Sequence, residues 1–276
     1  MILDNTIDKL IGQKLLEHNL EREKSHKSSG KLSASMLGQP LQWQILKVLG
    51  IPQAEKDEYT LRKFLRGNQI EDWVIGEIPD VKEKQKFVEY RGVVGYVDAI
   101  CETKSWEWKN GTIPVEVKSV TNLKFKKVVA QGADRSHKLQ ACLYALAEKA
   151  DKFAVVYVST DDLRVQTYIY DTETVAGEVE EVITRFESQR ELGTIPIFEP
   201  IETWQANPLY NNYPDWAKLD EVEIDKKYQE IKKKYEKITE DWFSQNFKRT
   251  MADSKEVWFK KNWGNSNRLI SIYADR

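Results

Sequence analysis

The strongest constraint on the fold is a change of hydrophobic period between residues 93 and 150. VVGYVDAI (93–100) and IPVEVKSV (113–120) are β-rich and alternate with the period of two that a half-buried strand requires. HKLQACLYALAEKA (137–150) then switches to the three-to-four spacing of a helix. Asn110-Gly111, between the two strands, is a good hairpin turn signal, and the aromatic SWEWK (105–109) before it can extend the first strand. FAVVYVST (153–160) and VQTYIYD (165–171), joined through Asp161-Asp162, read as a second hairpin, followed by a helix over roughly 172–191. Upstream, LGQPLQWQILKVLG (37–50) reads as a short helix stopped by Gly50, and a stronger helix is expected over about 59–77. Helices, hairpin, helix, hairpin, helix: this order predicts an α/β fold with a mixed sheet flanked by helices.

The ends carry helical additions. Ile2, Leu3, Ile7, Leu10, Ile11 and Leu15 are spaced for one buried helix face within residues 1–24, and SHKSSGK (25–31) reads as a loop. Residues 195–220, rich in Pro, Asn and aromatics, are expected to be irregular, and 221–247 to form a long charged helix. The final stretch, with Trp258, Phe259, Trp263 and Tyr273, takes no assignment. The division expected is an N-terminal helical region (1–58), a core (59–194) and a C-terminal segment (195–276). Asp4 and Asp8 near the start exclude the basic n-region of a signal peptide, and no apolar run reaches the roughly 20 residues of a membrane span. Cys101 and Cys142 are too few for a disulfide framework or a four-thiolate metal site, so a reduced protein of the cytoplasm (a host's, if viral) or nucleoplasm is expected. A net charge of −2 argues against a uniformly basic nucleic-acid coat and leaves room for a local basic patch.

Chemistry concentrates in the two strands. In PVEVKS, alternation puts Val115 and Val117 on one face and Glu116 and Lys118 on the other. Asp98 lies out of phase with Val97 and Ala99, so pairing of the strands brings Asp98 and Glu116 together at one edge with Lys118 beside them. Two carboxylates and a backbone carbonyl suit a hard cation such as Mg²⁺ or Mn²⁺. A lysine two residues beyond can orient water and offset charge on a phosphate transition state. Taken singly, Asp98 or Glu-x-Lys reads first as the solvated face of an amphipathic strand, and it is the rest of the constellation that favours a site. Glu71 sits on the preceding helix four residues after Gly67. Gln140 and Tyr144 are i,i+4 on one face of the 137–150 helix, and His137 shares that face. Leu139, Leu143, Leu146 and Ala150 read as core.

Gly67…Glu71, Gly95-Tyr-Val-Asp98, Glu116-Val-Lys118 and Gln140-x-x-x-Tyr144 stand in order on helix, strand, strand and helix. Together they resemble the four motifs of the PD-(D/E)XK nuclease superfamily, and more narrowly its RecB-like exonuclease branch, over roughly residues 30–190. The resemblance implies a restriction-endonuclease-like sheet. It implies Mg²⁺ or Mn²⁺ held by Asp98, Glu116 and the carbonyl of Val117, with Glu71 assisting and Lys118 serving the attacking water. Gln140 and Tyr144 would hold the substrate strand. Many RecB-like members carry His at the first motif, whereas Glu71 is more like the lambda-type phage exonucleases. The CRISPR-associated and helicase-fused relatives also carry four cysteines for an iron–sulfur cluster. Here SASMLGQPLQW (33–43) and WQANPLYNNYPDW (204–216) stand in those places without cysteine, so no cluster is expected. Trp204, Tyr210 and Tyr213 are candidates to pin the two ends by packing.

DNA binding needs cations, and the segment joining the second catalytic strand to the Gln–Tyr helix supplies them. Lys118, Lys124, Lys126, Lys127, Arg135 and Lys138 stand there against the single acid Asp134. Phe125 among them is a candidate to stack on a base. IKKKYEK (231–237), interleaved with acids, reads as a solvated face, and His18 and His26 have no ligand spacing. The function expected is a divalent-metal-dependent DNA exonuclease acting on single-stranded or end-processed DNA in replication, recombination or repair. Two alternatives stay open: a structure- or sequence-selective endonuclease, and a non-catalytic DNA-end-binding subunit. With no helicase motor in the sequence, processivity would have to come from a homo-oligomer, a clamp or a helicase or recombination partner, and no membrane partner is expected.

Overall fold

A computed structural model describes residues 9–17, 30–51, 53–104, 111–197, 212–231 and 233. They fall into two compact units. One comprises residues 9–17, 32–38, 56–104 and 111–185; the other comprises 30–31, 39–51, 53–55, 186–197, 212–231 and 233. The helices are α1 (Leu41–Val48), α2 (Glu58–Glu77), α3 (Asn122–Gln131), α4 (Arg135–Glu148), α5 (Glu173–Leu192) and the single turn α6 (Pro214–Ala217). Residues 9–17 and 221–231 are also helical. The remainder of the two terminal helices expected from the sequence lies outside the described residues, as do 25–29, 198–211 and everything after 233.

The first unit is built on five strands, β1 (Val81–Tyr90), β2 (Val93–Glu102), β3 (Thr112–Val120), β4 (Lys152–Ser159) and β5 (Val165–Asp171), neighbours in that order. All pairs are antiparallel except β3 with β4. A parallel step needs a crossover, which α3 and α4 provide. The result is the mixed, helix-flanked sheet expected from the order of elements. Ile70, Val74 and Ile75 of α2 pack on Ala99, Cys101, Ile113, Val115, Val117, Ala154, Val156 and Val158 of the three central strands. Asp57 caps α2, its carboxylate accepting the Thr60 N–H at 2.8 Å. Cys101 and Cys142 are buried thiols, as expected of core residues.

Three features differ from the sequence reading. VKEKQKFVEY forms β1, an edge strand whose charged residues hide its alternation; it reverses into β2 at Arg91 (φ 47°) and Gly92 (φ 76°), between the paired Tyr90 and Val93. Two left-handed central residues match the twist of a tight hairpin. The Lys-rich connection after β3 is the helix α3, organised by burial of Phe125 and Val128. Finally, Glu102 pairs with Thr112 and the Thr103 N–H donates to Gly111 O, so the β2–β3 reversal is longer than a two-residue turn at Asn110-Gly111.

In the second unit, Gln53 Nε2 donates to Tyr213 Oη at 3.3 Å and the Ala54 N–H to Asn212 O at 2.8 Å. Tyr213 and Trp216 are buried there. Tyr213 thus ties residues 53–54 to 212–217; Trp204 and Tyr210 lie outside the described residues. No described helix is long and apolar enough to cross a membrane.

Candidate active site

The site forms where two strands part. β2 and β3 pair only from Ala99↔Val115 to Glu102↔Thr112. Beyond that point β3 continues along β4 and β2 continues along β1. Asp98 and Glu116 are the first residues past the last pair. The Val117 N–H, left without a partner on β2, donates to Asp98 Oδ2 at 2.7 Å. Further along, β2's vacated edge is met by another segment, with the Val94 N–H donating to Leu32 O at 2.9 Å. A sheet that opens like this must satisfy its backbone by other means, and here a carboxylate does so.

Val115 and Val117 point into the core under α2, so Glu116 between them points to the other face, where α4 packs. Glu116 is 1% exposed, and the Lys118 ammonium pairs with it. Its Oε2 is buried without a hydrogen-bond partner. Burial pushes the Glu116 carboxyl up to about 8, Lys118 opposing and the Asp98 charge adding to the shift. Burial likewise raises Asp98, against the pull of Lys118 and of the Val117 N–H. Lys118 is held charged: burial works against its ammonium, but Glu116 and Asp98 outweigh that. Glu71 arrives from α2, its carboxyl raised by burial and by the Asp98 charge. Gly67, one turn earlier, lets α2 come close to β3: a Cβ there would stand 3.3 Å from Ser119 Oγ.

Gln140 and Tyr144 come to the same place from α4 but are buried, at 8% and 2% exposure. Gln140 Nε2 donates to Tyr144 Oη at 3.0 Å. The Tyr144 ring lies on Gly95, where an added Cβ would come within 2.6 Å of its Cε1. Glu116, Asp98 and Glu71 are all near enough to raise the phenol by their charge, after burial itself. His137, one turn earlier, has Nδ1 2.7 Å from Tyr157 Oη, which also accepts the Asp134 N–H at 2.9 Å. The Tyr157 hydroxyl and Nδ1 share this hydrogen bond, either one acting as donor according to the imidazole tautomer. Burial and the Lys118 charge push the imidazole down to about 4, so it is neutral at pH 7.

The cationic segment divides. Lys124 pairs with Asp134 at 2.6 Å, Arg135 pairs with Glu178, and Lys138 lies over the Tyr170 ring at 5.7 Å. Lys126 and Lys127 are exposed and form no ion pair among the described residues. Phe125, expected to offer a stacking face, is instead buried at 4% exposure with the Arg164 guanidinium 5.1 Å from its ring centroid. The helical spacing that exposes Lys126 and Lys127 turns Phe125 inward.

Gln85 is the residue that sequence reasoning missed. Its Nε2 donates to Glu71 Oε1 at 2.7 Å, and it also lowers Asp98 by hydrogen bonding. A glutamine in a charged edge strand gives no signal of such a role.

The donor set fits a hard divalent cation. Asp98 and Glu116 offer carboxylate oxygens, the Val117 carbonyl lies between them in the chain, and the unpartnered Glu116 Oε2 is the kind of buried atom that calls for an ion or water. Among the described residues no three His, Cys, Asp or Glu side chains already stand as a preformed cage.

No protein-family model matches the chain, and neither does any curated protein. Solved structures share parts of its course at low identity. SSO0001 is 19% identical, with 63% of this chain and 86% of that one covered and a TM-score of 0.39. The alkaline exonuclease LHK-Exo from Laribacter hongkongensis is 12% identical, covering 60% and 90%, with a TM-score of 0.43. A phage related exonuclease from Haemophilus somnus 129PT is 13% identical, covering 59% and 96%, with a TM-score of 0.41.

Proposed function

We propose that this chain is a divalent-metal-dependent deoxyribonuclease, acting as an exonuclease on single-stranded or end-processed DNA. The observation that supports it most is the unpartnered Glu116 Oε2, buried at the strand fork with Asp98 and Lys118 beside it. Asp98 takes the Val117 N–H and Lys118 pairs with Glu116, but Glu116 Oε2 stays unsatisfied, and a cation there would fill it and relieve the repulsion between the two carboxylates. Asp98, Glu116 and the Val117 carbonyl would hold Mg²⁺ or Mn²⁺, with Glu71 assisting. Such an ion would supply Lewis-acid polarisation of the scissile phosphate and a lowered pKa for the attacking water.

The chain's own groups do the rest. Lys118 exchanges its contact with Glu116 for one with the attacking water and offsets charge as it builds on phosphorus. Water oxygen bonds to phosphorus, the P–O3′ bond breaks, a proton of the water ends on the departing O3′, and the products are a 5′-phosphate and a 3′-hydroxyl. His137, neutral at pH 7 and tied through Nδ1 to Tyr157 Oη, adds a polar group beside Lys118 without adding charge. Buried Tyr144, bonded to Gln140 and packed on Gly95, serves the strand by shaping the open arm of β2. Lys126 and Lys127 are the free cations for the DNA backbone, while Lys124, Arg135 and Lys138 must first leave the partners they have. The test is digestion of matched linear and circular single-stranded DNA with Mn²⁺ or Mg²⁺, with Glu116→Ala as control. Loss of the linear form alone is expected. Cutting of both forms would make the protein an endonuclease, and binding without cutting would make it a DNA-end-binding subunit.

A further inference from the structure

β1 and β2 run in one register through Glu83↔Ile100 and Lys84↔Ala99, then Lys86↔Val97 and onward to Tyr90↔Val93. The register skips one position, Gln85 opposite Asp98. There Gln85 takes φ 49°, a left-handed backbone inside a strand. Non-glycine residues adopt that conformation rarely, and strands less than turns, so the surroundings must enforce it. Its consequence is visible in the side chain: on β1, inward residues alternate through Val81 and Glu83, and the phase shifts by one before Lys86, Val88 and Tyr90. The Gln85 amide is thereby turned from the ladder toward α2, where it meets Glu71 Oε1 at 2.7 Å.

We propose that Gln85 is a positioning residue for the divalent-cation centre, its amide spanning the Glu71 and Asp98 carboxylates from an edge strand so that groups from a helix and a different strand keep one spacing. This rests on the metal-dependent reading above. An amide N–H₂ suits the task because it has two donors and no charge: it can hold two carboxylates together before a cation arrives and need not be expelled when one does. Hydrogen-bonding partners that orient metal-binding carboxylates commonly set affinity by 10–100-fold. Gln85 is not itself a ligand in this proposal and touches no reacting atom.

The test uses the full chain and Mn²⁺ alone. Gln85→Gly keeps the left-handed backbone at no steric cost while removing the amide. Gln85→Asn tolerates the same backbone and keeps a shorter amide. The Mn²⁺ concentration giving half the cation-induced rise in melting temperature is expected to increase about tenfold in Gln85→Gly and less in Gln85→Asn. Cleavage by Gln85→Gly is expected to recover when Mn²⁺ is raised by the same factor, which a purely structural defect would not do. Wild-type Mn²⁺ affinity in Gln85→Gly would overturn the role of Gln85 and leave the nuclease reading standing. No Mn²⁺ response in the wild-type protein would overturn both. Should Gln85→Gly fail to fold, wild-type affinity in Gln85→Asn and in Gln85→Ser together would count against the proposal in the same way.

Discussion

The two halves of β3 are built for different purposes. Thr112–Val115 pairs with β2 and buries Ile113 and Val115 in the core. Residues 116–120 pair with β4 alone and carry Glu116, Lys118 and Ser119. In the first half, backbone pairing and apolar burial satisfy each other. In the second, the loss of β2 frees the Val117 N–H, a carboxylate takes it, and the gap admits Glu71 from the α2 side and Tyr144 from the α4 side. A sheet can gather charges in its interior if it gives up pairing at the same point.

The largest expected contrast is between substitutions in the two halves. Asp98→Ala, Glu116→Ala and Lys118→Ala should each lower cleavage at least about a hundredfold, because Lewis-acid and water-activating roles contribute several kcal/mol. Ile113→Val, in the paired half, should cost about 1 kcal/mol of stability in urea titration and leave kcat unchanged. Wild-type cleavage by any of the first three would remove that residue from the site.

Next in size is the open arm of β2. Gly95→Ala would place a methyl 2.6 Å from Tyr144 Cε1 and 3.0 Å from Ala34 Cβ. The expected loss is about 1–3 kcal/mol in denaturant unfolding. Unchanged stability would mean that Tyr144 is free to move.

A pH titration should separate the halves without mutation. Glu116 rises from its ordinary 4.5 to about 8 in the folded, cation-free protein. The folded state therefore holds a proton that the unfolded state has released, so this group's stabilisation is full below about 4.5 and is lost as pH rises through about 8. Melting temperature of the cation-free protein should fall over that window, Glu116→Gln should flatten the fall, and Mg²⁺ should reverse it at pH 8. An equally steep fall in Glu116→Gln would assign the effect elsewhere.

The smallest effects belong to the cationic segment. Replacing Lys126 and Lys127 with Ala should reduce the salt dependence of DNA binding by about one phosphate contact each. Arg135→Ala should change it less, since Arg135 is engaged by Glu178.

Much of this was legible in the sequence because it rests on periodicity. Alternation in VVGYVDAI and IPVEVKSV located β2 and β3, and the face carrying Glu116 follows from Val115 and Val117 being apolar. β1 was not legible: an edge strand faces solvent, so VKEKQKFVEY reads as polar chain. Nor was Gln85, whose role depends on a left-handed backbone that residue type does not announce. Phe125 is buried because it shares an inward face of α3 with Val128 three residues on, a periodicity that the intervening lysines mask in the sequence. The burial of Tyr144 depends on Gly95, far away in sequence, leaving room for a ring.

The fork between β2 and β3 is proposed to bind a divalent cation through Asp98 and Glu116. The most direct test is calorimetric titration of Mn²⁺ into the wild-type protein and into Glu116→Gln, which keeps the side chain's shape and removes its charge. Saturable binding by the wild type with release of protons at pH 7 is expected, and loss of both in the variant. Equal binding by the two proteins, or none by the wild type, would contradict it.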